Sequence, residues 1–134
     1  MVANDIDIED NKAWFDITNN LEITEFVGYE FNISESVVKK IIINNKELKS
    51  ISKGESGIII LNQTPFYAES GGQIGDSGYL FSDNFSFKVN NTTKMYGSYF
   101  LHFGEVTKGN CYANDFVTAS INTEKRDLIR NNHS

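Results

Sequence analysis

The feature that most constrains this chain is a series of six short apolar segments, separated by turn residues and with no helical pattern between them. The segments are rich in β-branched and aromatic residues, which is typical of β-strands. They are Val37 to Ile43, Gly57 to Leu61, Tyr79 to Phe81, Phe85 to Val89, Tyr99 to Val106 and Asp115 to Ile121. Such closely spaced strands favour an antiparallel barrel or sandwich, and closure into a barrel removes the exposed edges of a small sheet.

Turn and helix signals complete the predicted architecture. Lys53-Gly54-Glu55, Ser82-Asp83-Asn84 and Lys108-Gly109-Asn110 are turn sequences between apolar runs. Near the start, the helical spacing of Trp14, Ile17 and Leu21 predicts a short amphipathic helix with Asp10 or Asn11 as N-cap. Near the end, Asn122 or Thr123 can cap a helix through residues 124–130. We therefore divide the chain into a partly helical lead-in (1–30), a β-barrel (31–122) and the start of a helix (123–134).

Composition excludes several classes of protein. The 134 residues suit one domain, and no apolar run is long enough to cross a bilayer. Cys111 is the single cysteine, so no intrachain disulfide can form and the Cys/His pairs of a structural zinc site are missing. The acidic start lacks the basic character of a targeting peptide, so we expect a cytoplasmic protein. The ending just after a helix start predicts a piece of a longer polypeptide.

The net charge of −6 is unevenly distributed. Residues 1–30 carry eight carboxylates against Lys12, a net −7, and the remainder sums to +1. Phosphate binding scales with the number of Lys and Arg side chains, so this chain is poorly suited to hold RNA alone. An autonomous RNA-binding barrel remains an alternative, and a basic face studded with aromatic residues would be its hallmark.

The least generic segment runs from Leu61 to Gly78 and contains the only proline and four of the ten glycines. Pro65 interrupts strand pairing after Thr64, while Gly71 and Gly72 permit positive φ or close approach of another backbone. A phosphate-cradling loop is disfavoured because no lysine is present and a strand follows. A Gly-Gly-Gln loop of the release-factor kind is disfavoured by the neighbouring carboxylates. A Gly-rich barrel loop without chemistry of its own is the remaining alternative.

The run Thr64-Pro-Phe-Tyr-Ala-Glu-Ser-Gly-Gly-Gln-Ile-Gly-Asp-x-Gly78 closely resembles the signature of alanyl-tRNA synthetases. In that family it lies in the barrel between the aminoacylation half and the editing domain. Three further segments are similar to the family, and together they extend the resemblance over residues 23–134. They are Thr24 to Glu30, His102-x-Gly-x-Val-x-x-Gly109 and Ile129-Arg-Asn-Asn-His-Ser134, the last being like the lead into a His-x-x-x-His zinc motif.

This resemblance implies a parent enzyme that activates alanine with ATP and Mg²⁺, charges tRNA(Ala) and hydrolyses mischarged seryl- or glycyl-tRNA(Ala). It implies an editing site that holds zinc, with His133 as the one ligand this sequence contains. It also implies a Greek-key barrel like those of elongation factors, with short flanking helices. A freestanding editing hydrolase, which has a similar barrel, is the related alternative.

For the 134 residues alone the expected role is connective, without catalytic residues or a bound cofactor, in a monomer that does not bind membranes. We expect the loop of Gly71, Gly72, Gln73 and Asp76 to lie close to the editing pocket of the parent.

Lys125, Arg126 and Arg130 are candidate contacts to tRNA phosphates, although a solvated helix face explains them equally well. Glu69 and Asp76 could be an acid/base pair, but loop hydrogen bonds are the preferred interpretation. His102 is expected to be a surface or hydrogen-bonded side chain, and Cys111 to have no chemical role.

Overall fold

The computed structural model describes residues 8–124, with side chains from residue 11 onward. Within this range it contains one complete helix, α1 (Ile8–Thr18), and ten strands. Residues 123–124 are helical, as predicted, and the rest of the predicted final helix lies outside the described residues. The strands are β1 (Glu25–Phe26), β2 (Ile33–Ile43), β3 (Lys46–Leu48), β4 (Ser50–Ser52), β5 (Ser56–Leu61), β6 (Gln63–Thr64), β7 (Gly78–Ser82), β8 (Phe85–Met95), β9 (Tyr99–Tyr112) and β10 (Phe116–Ile121).

Six of the strands close into an antiparallel barrel in the order β2, β5, β9, β8, β7, β10 and back to β2. Strands β7, β8 and β9 are consecutive neighbours, and β10 returns to lie beside β7. This arrangement of four strands is a Greek key. The predicted antiparallel Greek-key barrel is confirmed.

The barrel interior is filled by one face of each strand. Neighbouring residues point to opposite sides, as the two-residue period of a strand requires: Ile41 and Ile59 belong to the interior cluster, whereas Ile42 and Ile60 face outward. Phe66, from the loop that follows β6, also packs in the barrel interior. Because Phe66 is fully buried, folding of the barrel fixes where that loop begins.

Helix α1 covers the outward side of Ile42, Ile60 and Leu101. Of the three predicted apolar positions, Trp14 and Ile17 are both 3% exposed, whereas Leu21 lies beyond the end of the helix and is half-buried against the same cluster. The Trp14 indole Nε1 donates a 3.0 Å hydrogen bond to Oδ1 of Asn45, in the turn between β2 and β3. The amphipathic helix is confirmed, but it begins at Ile8, before the predicted cap, because carboxylates are favourable in a first turn as well as at the cap.

The prediction of a turn at Lys108-Gly109-Asn110 is wrong. These residues continue β9, which pairs with β8 up to Gly109 and with β4 from Asn110 onward. Gly109 has a φ of +67°, and an added Cβ would collide with the Asn84 carbonyl oxygen. The glycine therefore marks the point where a continuous strand changes partner, and sequence alone does not distinguish this from a turn.

The structure has more strands than predicted, and some of the predicted ones are longer. Strand β8 continues from Val89 through a polar stretch to Met95. Four strands were not predicted, because each is only two or three residues long and too short to show a two-residue period. They are β3, β4 and the parallel pair β1 and β6. Within residues 8–124, no helix is long and apolar enough to cross a membrane.

Candidate functional site

The Gly-rich loop joins β6 to β7 and is anchored at its first residues. The Thr64 hydroxyl lies 2.8 Å from Nε2 of His102 on β9, and the Phe66 amide donates to Thr64 Oγ1 at 3.0 Å. The Phe66 ring packs edge-on against the imidazole, with a centroid separation of 5.2 Å. Pro65 follows the last strand residue, Thr64, as predicted.

The partners of His102 define the tautomer of its neutral imidazole. Its Nδ1 lies 2.8 Å from the carbonyl oxygen of Ile59, which can only accept a hydrogen bond. Nδ1 therefore carries the proton, and Nε2 accepts from the Thr64 hydroxyl. Burial lowers the pKa of His102 from its ordinary 6.5 to about 4, against an opposing effect of the Ile59 hydrogen bond.

His102 is thus the hydrogen-bonded side chain that one of the two sequence expectations described, and it is not on the surface. Both ring nitrogens have protein partners and the residue is fully buried, so it cannot exchange a proton with a bound substrate. Its role is to connect the loop to the barrel wall through Thr64.

Two carboxylates hold the body of the loop. The Tyr67 amide donates to Asp76 Oδ2 at 2.8 Å, and the Asp76 amide donates to the Tyr67 carbonyl at the same distance. Glu69 Oε1 accepts from Nδ2 of Asn91 at 2.9 Å. These bonds agree with the preferred interpretation of Glu69 and Asp76 as loop-holding groups.

Strand β8 contacts both limbs of the loop through Asn91 and Thr92. Oδ1 of Asn91 accepts from the Gly75 amide at 3.0 Å, and the Thr92 carbonyl accepts from the Glu69 amide at 2.7 Å. The Thr92 hydroxyl donates to the Asp76 carbonyl at 3.0 Å. The backbones approach so closely that a Cβ on Gly75 would overlap the Thr92 carbonyl oxygen.

Asn91 and Thr92 were missed by sequence reasoning. They lie beyond the predicted end of β8, in a polar stretch with no apolar alternation. The register of β8 against β9 shifts between Val89 and Asn91. Such an irregularity redirects side chains toward a neighbouring segment, and no hydropathy signal marks it.

The tip of the loop is a tight turn of four residues, Ser70-Gly71-Gly72-Gln73. The Ser70 and Gln73 backbones exchange hydrogen bonds of 3.2 and 2.9 Å. Gly71 and Gly72 have φ values of +57° and +82°, so of the two expected reasons for glycine, positive φ is the one that applies. No other part of the described chain lies within 4 Å of a Cβ built on either glycine, so the tip is exposed backbone.

An aromatic cluster borders the loop. Phe26 of β1 stacks on Phe100 with centroids 5.6 Å apart, and the rings of Tyr29 and Tyr67 meet Phe26 edge-on at 5.0 and 6.0 Å. Gly28 is required here because a Cβ would lie 2.5 Å from the Pro65 carbonyl oxygen. The segment from Thr24 to Glu30 therefore packs directly against the beginning of the Gly-rich loop.

The remaining sequence candidates do not form a reactive centre. Burial, with a smaller effect of the Asp115 carboxylate, raises the pKa of the Cys111 thiol to about 12, so the thiol stays protonated and unreactive. Among the side chains of residues 11–124, no three His, Cys, Asp or Glu come together as a possible metal site. Lys125, Arg126, Arg130 and His133 lie outside the described residues.

The loop and barrel match a known family. The family model described as tRNA synthetases class II (A) matches residues 3–125, and the chain belongs to that family. It is 44% identical over 122 residues to alanine–tRNA ligase of Rhodopseudomonas palustris and 42% identical over 121 residues to alanine–tRNA ligase of Nitrobacter winogradskyi. These matches cover 91% and 90% of the chain, which spans 14% of the length of each relative. The resemblance to alanyl-tRNA synthetases is confirmed.

Proposed function

We propose that this chain is the connecting barrel of an alanine–tRNA ligase. The observation that carries the proposal is the identity of 44% over nine tenths of the chain to a protein of that name. The parent would activate alanine with ATP and Mg²⁺ and transfer it to tRNA(Ala) in the cytoplasm. The 134 residues would be a monomer without activity of their own, divided into a lead-in, a barrel and a helix start at residues 30 and 122.

The barrel would support editing, the hydrolysis of mischarged seryl- or glycyl-tRNA(Ala). Editing is needed because a binding pocket discriminates weakly between near-isosteric amino acids. Gly71, Gly72 and Gln73 would contact the editing pocket, and Asp76 would hold them in place. This proposal is supported by the bare backbone of the tip and by the number of hydrogen bonds that fix the rest of the loop.

The parent's zinc would be held by His133 together with ligands outside this sequence. Zinc bound at an editing site would supply Lewis-acid chemistry for hydrolysis. Lys125, Arg126 and Arg130 would contact tRNA phosphates. The part of the described residues would be to position the loop, through the hydrogen bonds of Thr64, Asp76, Asn91 and Thr92.

Two assays test the proposed activity. The full-length protein should exchange pyrophosphate into ATP only when alanine is present, and it should charge tRNA(Ala). The 134-residue chain should do neither. Full-length protein that deacylates seryl-tRNA(Ala) without charging tRNA would instead indicate a freestanding editing hydrolase.

A further inference from the structure

One side of the outer surface of the barrel, formed by β7, β10 and the start of β2, carries exposed apolar side chains. Ser120 on β10 pairs with Ile33 on one neighbouring strand and with Tyr79 on the other, so these three side chains form one row. Thr118, two residues earlier, lies between Glu35 and Phe81 in the next row. The interior side chains of these strands, such as Leu80 and Ala119, alternate with them and are fully buried.

Four large apolar side chains on this side are exposed to solvent. Phe116 is 74% exposed, Ile33 52%, Tyr79 46% and Phe81 38%. We name these four residues the β7–β10 face. The outer side of an antiparallel sheet is ordinarily polar where it meets water. The adjacent strand β8 follows that rule, because the partners of Tyr79 and Phe81 there are Lys88 and Ser86.

A notch of about 210 Å³ is lined by both Phe81 and Phe116. Its other walls include the carboxylates Glu35 and Asp83, and no lysine or arginine lines it. Glu35 Oε1 accepts a 3.1 Å hydrogen bond from the Thr118 hydroxyl, and the Lys108 ammonium lies 3.4 Å from the Asp83 carbonyl oxygen. Neither carboxylate forms an ion pair with a side chain of residues 11–124. Two aromatic rings beside two carboxylates form a site that suits a guanidinium group, which stacks on rings and pairs with carboxylates.

We propose that the β7–β10 face docks another segment of the same full-length polypeptide, and that this segment inserts an arginine between Phe81 and Phe116. The proposal rests on the proposed function, under which this chain is one part of a longer enzyme. The relatives support it, because 86% of their length lies outside the matched region. Exposed contiguous apolar surface of this kind marks interaction sites.

The charge of the notch favours protein over RNA as the occupant. Glu35 and Asp83 would repel the phosphates of a nucleic acid approaching Phe81 and Phe116. The same carboxylates would attract a cationic side chain and fix its position against the rings.

Hydroxyl-radical footprinting read by mass spectrometry tests this docking. We expect Phe116 to be oxidised readily in the 134-residue chain and several-fold more slowly in the full-length protein. In the full-length protein, Glu35→Lys or Asp83→Lys should restore fast oxidation of Phe116, because each places a like charge beside the arginine. The matched control Glu105→Lys, on the polar outer side of β9, should leave the protection intact. Thermal unfolding of the same variants in the 134-residue chain checks that the barrel still folds.

Three results would overturn the docking proposal. The first is equal oxidation of Phe116 in the 134-residue chain and the full-length protein. The second is protection of Phe116 that appears only when tRNA is added. The third is concentration-dependent protection in the 134-residue chain, which would indicate that a second copy docks there. Alanine-dependent pyrophosphate exchange by the same full-length sample separates the two proposals. Protection of Phe116 without pyrophosphate exchange would support the docking surface and refute the proposed function. Pyrophosphate exchange without protection of Phe116 would support the function and refute the docking surface.

Discussion

Thr64 and His102 are 38 residues apart in sequence and share a buried hydrogen bond of 2.8 Å. This bond joins the last residue of β6, immediately before the Gly-rich loop, to β9 on the barrel wall. The other ring nitrogen of His102, Nδ1, donates a hydrogen bond to the carbonyl oxygen of Ile59 on a third strand, β5. The position of the loop therefore depends on a chain of buried polar contacts whose loss can be measured.

Removing the Thr64 hydroxyl should destabilise the barrel. Thr64→Val keeps the shape of the side chain but leaves His102 Nε2 and the Phe66 amide without partners in the interior, at a cost of about 2 kcal/mol or more. Urea unfolding of the 134-residue chain measures this free energy. The control Thr107→Val loses an exposed 3.2 Å bond to Ser86 and should cost less than about 0.5 kcal/mol. Equal costs for the two variants would contradict the anchoring role.

Acid should destabilise the fold through His102. Its pKa is about 4 in the folded state and 6.5 when unfolded, so the unfolded chain binds more protons between these values. The stabilising effect is complete above pH 6.5, falls as the pH decreases, and is lost near pH 4, in total about 3 kcal/mol. His102→Gln should lack this component of the pH dependence. The check is the free energy of unfolding, measured in urea between pH 7 and pH 4. The same pH dependence in wild type and variant would refute the contribution of His102.

Gly75 should tolerate no side chain. Gly75→Ala would push the loop away from the Thr92 carbonyl and break the Asn91 hydrogen bond, which costs roughly 1–3 kcal/mol. Amide hydrogen exchange at Glu69 and Gly75 should accelerate. Gly97→Ala is the control, because Gly97 has a φ of +71° but open space around it, and that change costs about 1 kcal/mol. Unchanged exchange at Glu69 in Gly75→Ala would show that the two backbones are not in contact.

The barrel was predictable because its strands obey a two-residue period and are bounded by turn residues. Local signals failed where a contact from a distant segment decides the structure. Gly109 has the sequence of a turn, yet β4 and β8 hold it in a strand. Asn91 appears as an unremarkable surface residue until β8 is seen to lie against the loop. The positive φ at Gly71 and Gly72 was predictable from glycine chemistry, whereas the Thr64–His102 bond was not, because register between remote strands is invisible in the sequence.

We propose that the exposed Gly71-Gly72 tip serves editing in a full-length alanine–tRNA ligase. Gly72→Val is the informative variant, because Gly72 has a φ of +82° and a β-branched residue would displace the tip. Gly54→Val is the matched control, with a φ of +89°, equally open surroundings and a place in a different turn. The measurement is deacylation of seryl-tRNA(Ala) by the full-length variants, alongside alanylation of tRNA(Ala). We expect Gly72→Val to lose deacylation far more than alanylation, and Gly54→Val to retain both. Wild-type deacylation by a folded Gly72→Val enzyme would contradict the claim and leave the loop as a spacer.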